Sequence, residues 1–354
     1  MPKTPAADGP RSRPAGIRDV AAAAGVSPTT VSHALNGLGR LSEQTRNHVL
    51  EVATRLGYRA NPSARNMRSS SSGIIAVINQ LSEDAAWGAA DLEYIMRLNQ
   101  AVCAAAWASD SYPTLLPAGA DARTLARMPL DGAILVDPLL GDPTLEGLDS
   151  LKIPTVTVGR DDRGQPGRAW WVDNDIRSST LDALEHLARG GAERIMLLAA
   201  DTGQSYMSDA VDSYVEWCER QGRRRRLVQL SAPFQADECF RAVSRACSAR
   251  WPIDALYIVA EAFVRPSVDA VFAAGRSIPG GVQVAVASDS AVARSTRPAL
   301  TALDLDPESI GATAVDLLLQ RRSGAVGPQT VTVAATLVIR ESTLESPTRL
   351  ALPR

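Results

Sequence analysis

Histidine and cysteine are scarce in this 354-residue chain, and each shortage removes a class of function. Three histidines (His33, His48, His186) and four cysteines (Cys103, Cys218, Cys239, Cys247) stand scattered with no CxxC pair, so no metal site and no disulfide framework is expected. The thiols read as reduced and structural. No apolar run approaches the roughly 18 residues that cross a bilayer, and the opening Met-Pro-Lys-Thr-Pro-Ala-Ala-Asp-Gly-Pro lacks the apolar stretch of an export signal. A cytoplasmic chain with no membrane partner is the expectation. There is no GxSxG elbow, Walker loop, HExxH or strand-linked GxGxxG, so no enzyme activity and no cofactor is expected. Asp173-Asn174-Asp175 opens like a calcium loop but lacks the glycine its sharp turn needs.

What is present is an uneven distribution of charge. The chain carries a net charge of −2, yet residues 1–72 hold ten Lys/Arg against four Asp/Glu, which leaves an acidic remainder. A compact basic head favours binding to phosphates, because each neutralised phosphate releases counterions. A solvated basic tail is the alternative. Residues 1–15, rich in Pro, Gly, Ala and Arg, read as a disordered arm. A helix is expected from Ile17 to Ala24, with Asp19 in its first turn and Gly25 ending it. Ser27 then serves as a cap and Pro28 as a first helical residue, which predicts a second helix over Pro28–Leu35 stopped by Asn36-Gly37. Ser42 caps a third helix, and Val20, Ala21, Val31, Val49 and Leu56 are the expected core. Two helices joined by a short Gly-containing turn form either a helix-turn-helix or a generic helical hairpin.

The string decides between them. Ile17-Arg18-Asp19-Val20-Ala21, then Ala24 through Gly37, Leu41-Ser42-Glu43-Gln44-Thr45-Arg46 and Leu56-Gly57-Tyr58-Arg59 resemble the lactose-repressor/galactose-repressor (LacI/GalR) family. The resemblance implies a sequence-specific DNA-binding transcription regulator, most simply a repressor. It places Pro28, Thr29 and His33 at base-reading positions and Thr30 and Ser32 where hydroxyls meet phosphate oxygens. It makes Asn61–Arg68 a hinge helix that forms on DNA, with Arg65 and the wedge residue Met67 entering the minor groove. The partners implied are a palindromic operator, a second copy of the chain and a small-molecule effector. The implied place of work is the bacterial nucleoid.

From Gly73 onward, β-rich runs (Ile74–Ile78, Ala133–Val136, Thr155–Val158, Ile195–Ala199, Leu256–Val259, Val282–Ala287) alternate with helical stretches (Asp91–Ala108, Ser178–Arg189, Val211–Gln221). The expected organisation is an arm (1–15), an all-α helix-turn-helix head (16–60), a hinge and linker (61–72) and an effector-binding and dimerisation body (73–354). That body resembles the family's α/β periplasmic-binding-protein-like unit of two lobes with parallel sheets. Val172–Asp175 fits its first crossover, Leu300–Leu303 its second and Arg340–Thr343 its closing motif. Ligands of open α/β sheets lie beyond the strands' carboxyl ends. The resemblance puts Asp289 at a sugar-hydroxyl-binding aspartate, though it also reads as a helix cap, and adds Glu261, Tyr206, Asp137, Arg160, Trp171 and Asp173 as effector candidates, with Tyr94 and Asp161 as further ones. Ala210 stands where the family has a cleft arginine, and Ala260-Glu261 where many members have Asn-Asp, so an effector other than a sugar is an open alternative. Of Trp170 and Trp171, adjacent on a strand, at most one can face the cleft. A solute-binding module without gene control is the competing reading. With Pro347 and Pro353 in the tail, no heptad helix follows, and a dimer rather than a tetramer is expected.

Overall fold

The computed structural model describes residues 15–35, 39–58, 71–80, 89–161, 170–231 and 235–343. The arm, the stop at Asn36-Gly37, the hinge with Arg65 and Met67, and the tail from Leu344 lie outside them. Contacts divide the chain into two units, residues 1–72 and 73–354.

The first unit packs three helices, α1 (Ile17–Ala24), α2 (Pro28–Leu35) and α3 (Glu43–Arg55), around Val20, Ala21, Ala24, Val31, Ala34, Val49, Val52 and Ala53. Gly25 ends α1 at φ 65°, a left-handed conformation that costs glycine nothing, and its N–H donates to the Ala21 and Ala22 carbonyls. Leu56 is not core. It occupies the C-cap of α3 at 38% exposure, and Tyr58 packs against the cluster instead. The apolar spacing of α3 runs on to Leu56, but the helix turns away one residue earlier.

The second unit is built on two six-stranded sheets. The first runs β11 (Gln329–Val333), β5 (Trp170–Asn174), β4 (Thr155–Val158), β3 (Leu130–Val136), β1 (Ile74–Asn79), β2 (Tyr112–Leu116), all parallel. The second runs β12 (Thr336–Val338), β10 (Thr301–Asp304), β9 (Gln283–Val286), β8 (Ala255–Ile258), β6 (Ile195–Asp201), β7 (Leu227–Ser231), parallel except for the β10–β12 pair. Central strands such as Ile75–Ile78 and Ala133–Val136 are buried at every residue, because helices cover both faces. The first lobe's helices are α4 (Ala89–Ala108), α5 (Ala122–Leu125), α6 (Pro143–Ser150) and, returning from the second sheet, α12 (Pro307–Arg322). The second lobe holds α7 (Ile176–Arg189), α8 (Ser205–Arg220), α9 (Ala236–Ser248), α10 (Val264–Ala273) and α11 (Ala291–Ser295).

The chain therefore crosses between sheets three times: after Asn174, after Asp304 and between Val333 and Thr336. The Arg340–Thr343 segment closes the second lobe. Ser342 Oγ donates to the Val284 carbonyl at 2.5 Å and accepts from Thr301 N at 2.8 Å, and Thr343 Oγ1 lies 2.8 Å from His186 Nε2. No described helix is long and apolar enough to cross a membrane.

The four cysteines are all free thiols, and Cys103 is exposed while Cys218, Cys239 and Cys247 are buried. Burial pushes the Cys239 thiol up to about 11 and raises those of Cys218 and Cys247. All three stay protonated as well as covered at mildly alkaline pH, and the thiolate is the reactive form. Native protein at pH 8 is expected to offer a thiol reagent at most one equivalent, Cys103, with the other three appearing only on unfolding. A fast phase of two or more equivalents would contradict this burial.

Candidate functional site

The head presents the N-terminal end of α2 to solvent. Ser27 Oγ accepts from Thr30 N at 3.0 Å and lies 2.9 Å from Thr30 Oγ1, which fixes the first turn. Pro28 and Thr29 are exposed on that turn, and Thr30 is half-buried. Ser32 faces inward at 7% exposure. The His33 ring lies against Gly39, where an added Cβ would come within 2.7 Å of its Nδ1. Arg46 Nη1 donates to the Ala34 carbonyl at 3.2 Å, tying α3 to the end of α2.

In the body, the carboxyl ends of both sheets open on one cleft of about 800 Å³, counted with the solvent-open part. Its wall is mostly apolar, with Ile95, Val158, Ile176, Val259, Ala287, Leu305 and Ile310. Tyr94 of α4 and Tyr206 of α8 add aromatic surface, and Asp137, Asp173 and Glu261 supply carboxylates. Asp137 ends β3 in a left-handed conformation, φ 53°, its N–H donating to Val158 O at 2.8 Å. Opposite it Gly159 has φ 86°, and any Cβ there would come within 3.2 Å of Asp137 Oδ1. Asp173 Oδ1 accepts from Asn174 N at 2.8 Å, and Glu261 Oε1 accepts from Ser290 Oγ at 2.6 Å. Burial first, then the fields of Asp137 and Asp173, raises the Tyr94 phenol well above its ordinary value, so it stays protonated and able to donate.

Two ion pairs span the lobes at the edges of this cleft. Arg160, just past β4, bonds Asp209 of α8 and reaches Asp173 Oδ2 at 3.7 Å, while its N–H donates to Ser205 Oγ at 3.1 Å. Across from it Glu93 of α4 accepts from Arg294 Nη2 at 2.5 Å and from Ala291 N, the first residue of α11, at 2.6 Å. Burial works against the Glu93 carboxylate, but these two bonds hold it below its ordinary value. At the root of the cleft Asn174 Nδ2 donates to Leu305 O at 2.9 Å and Val333 O at 3.1 Å, one carbonyl beside each of the other two crossovers.

Two family models match the chain. Residues 16–61 match "Bacterial regulatory proteins, lacI family", and residues 184–343 match "Periplasmic binding protein-like domain". This chain carries a lacI-family DNA-binding head and a periplasmic-binding-protein-like body, the domain pair of LacI/GalR-type transcription regulators. Catabolite control protein A of Streptococcus mutans is 25% identical over 85% of this chain and 90% of its own length. The HTH-type transcriptional regulator CelR of Thermobifida fusca is 26% identical over 94% of this chain and 99% of its own. Among solved structures, the lac repressor dimer bound to operator and the anti-inducer ONPF has the same fold at a TM-score of 0.79, with 21% identity over 94% of this chain and all of that one.

Within this body, the structure brings Asp137, Asp173, Tyr206 and Glu261 together in the cleft with Tyr94, and it leaves four candidates outside the lining, Asp161, Asp289, Arg160 and Trp171. Asp289 lines a small adjoining recess with Glu93 and Arg97. Its Oδ2 accepts from Arg340 Nη2 at 2.8 Å, and Arg294 lies 3.5 Å from its Oδ1, so two cations occupy the carboxylate that the family resemblance aims at a ligand. Nor does it cap α11, because Ser290 does. Arg160 is engaged by Asp209 and Asp173 and is not among the lining residues. Its guanidinium stands 6.0 Å over the Trp171 ring, and Trp171 is likewise not among the lining residues. Trp170 packs into the first lobe's core with Arg321 over it. Sequence reasoning missed Glu93, Asp209 and the role of Asn174, whose partners lie far along the chain.

Proposed function

We propose that this regulator is a cytoplasmic repressor, dimeric, that reads a palindromic operator with the N-terminal end of α2 and is switched by a small molecule bound in the body's cleft. The observation that carries the DNA reading is the capped, solvent-facing first turn of α2, whose Pro28 and Thr29 are free to meet base edges. Proline offers only an apolar contact there, whereas threonine offers a hydroxyl and a methyl, so Thr29 carries more of the discrimination. Thr30 and His33 are secondary contacts in this reading, and Ser32, being buried, acts through packing. Arg65 and Met67 complete the interface from the hinge, with Met67 as an apolar wedge.

The test is selection of bound fragments from the chain's own upstream DNA, then titration against bulk competitor. Thr29→Ala is expected to weaken the selected site about tenfold, the loss of one base contact, while leaving non-specific binding unchanged. An equal fall for both kinds of DNA would remove Thr29 from base reading. No preference for any fragment would remove the proposal.

Dimer formation is supported by a stripe on α4. Leu92, Met96, Cys103 and Trp107 recur at helical spacing beside the face that Ile95, Leu98, Val102 and Ala106 bury, and all four are exposed. The Trp107 ring meets Tyr112 edge-on at 5.6 Å, which continues the patch onto the edge strand β2, where Leu115 is also exposed. A second copy is the occupant that a two-half-site reader requires.

A further inference from the structure

We infer that the cleft takes an effector bearing a protonated amine on a compact, largely apolar body, with the ammonium drawn to Asp137, Asp173 and Glu261. This rests on the reading of the cleft as the effector site. It goes beyond that reading by fixing the sign of the ligand's charge.

The lining side chains are one-sided. Three are carboxylates, and among the described residues none that lines the cleft is Lys, Arg or His. Arg160, next to the lining Gly159, is bonded to Asp209 and stands farther from Asp173 Oδ2, at 3.7 Å, so it offsets only part of the Asp173 charge. Asp173 and Glu261 come from opposite lobes and are more than nine-tenths buried, so their charges act in a medium that screens poorly. Asp137 adds a third, on a left-handed backbone, and faces Gly159, where a Cβ would crowd its Oδ1 at 3.2 Å. Burial is the main cause of the raised Tyr94 phenol, and the fields of Asp137 and Asp173 add to it in the same direction.

Hydrogen-bonding capacity points the same way. A sugar hydroxyl both donates and accepts, whereas an ammonium only donates. Here three carboxylates make the lining rich in acceptors, its hydroxyls on Tyr94, Tyr206 and Ser288 accept as well as donate, and Asn174, the one side-chain amide among the described lining residues, already spends its Nδ2 on Leu305 O and Val333 O. The aspartate that the family resemblance aims at sugar hydroxyls, Asp289, is tied to Arg340 and Arg294. The rest of the wall is aliphatic, with two tyrosine rings that suit a cation or a ring body.

The test uses the full chain and two sets of matched probes. One set is 2-phenylethylamine, 2-phenylethanol and 3-phenylpropanoate; the other is glucosamine, glucose and glucuronate. Melting temperature at about 10 mM probe and calorimetric affinity are the readouts. The ammonium member is expected to bind about tenfold tighter than the neutral one in at least one set, and the carboxylate member weakest, as charge pairing in a low-dielectric cleft dictates. Glu261→Gln and Asp137→Asn should each shrink that gap, and their melting temperatures without probe show whether they are folded. If either fails to fold, the unaltered chain still decides, because the ranking of probes is read on it. A neutral or anionic member binding best, or no ammonium probe binding, overturns the inference. If a neutral sugar binds best and shifts operator affinity, the effector reading survives alone. If the amine binds and operator affinity does not move, the ligand class stands and the effector reading falls.

Discussion

A chain carrying Met96→Glu and Trp107→Arg is expected to sediment as a monomer and to hold its operator roughly a thousandfold more weakly, with its melting temperature little changed. Both side chains are 70% exposed, so neither substitution opens a cavity or strands a buried group. What they remove is the α4 part of an apolar patch that continues onto β2, and what they add is charge that a closely packed second copy would have to desolvate. A head of three short helices makes few base contacts on its own, and joining two of them through the body makes the second half-site's binding intramolecular. Losing that link returns the protein toward the micromolar or weaker range of non-specific binding, from the nanomolar range of specific regulators. Sedimentation measures the first effect and a gel-shift titration at fixed salt the second. A variant that stays dimeric moves the dimer contact elsewhere; a monomer with unchanged operator affinity removes the need for a dimer.

Much of this architecture can be read along the chain, and the unread part has a common physical cause. The first two helices are specified by neighbours in sequence: Gly25 at a positive φ, Ser27 as cap and Pro28 at the first helical position place α2 over Pro28–Leu35. Strands buried on both faces, such as Thr155–Val158, show as short apolar runs. Edge strands do not. Tyr112–Leu116 and Gln329–Val333 border the first sheet, and Leu227–Ser231 the second, each with exposed residues breaking the pattern. In the cleft, strand-end residues such as Asp137 and Asp173 are legible because the fold fixes where strand ends go. Ion pairs are not: Arg160 finds Asp209 49 residues away and Glu93 finds Arg294 201 residues away, so the competition for Asp289 between ligand and arginines is settled only in three dimensions.

The Asn174→Leu substitution is expected to lower stability by about 2–4 kcal/mol and to shift the effector response, whereas Glu93→Ala is expected to cost about 1 kcal/mol or less. The difference follows from where each group sits. Glu93 joins Arg294 at a partly exposed rim, where water replaces a lost ion pair at little cost. Asn174 is 5% exposed, and its amide is shared between Leu305 O and Val333 O. Leucine has similar bulk and no donor, so both carbonyls lose that bond, each at a cost of about 1–3 kcal/mol unless relaxation admits water. Because the two carbonyls belong to the second and third crossovers and Asn174 to the first, the loss falls on the segments that join the lobes. Lobes less firmly joined at their root populate more open arrangements, and a ligand gripping both lobes must then spend more of its binding energy on closing them. Denaturant melts of both variants, followed by effector titrations of operator binding, test the ranking. If Glu93→Ala destabilises more than Asn174→Leu, the rim ion pair rather than the triple tie sets the relation between the lobes.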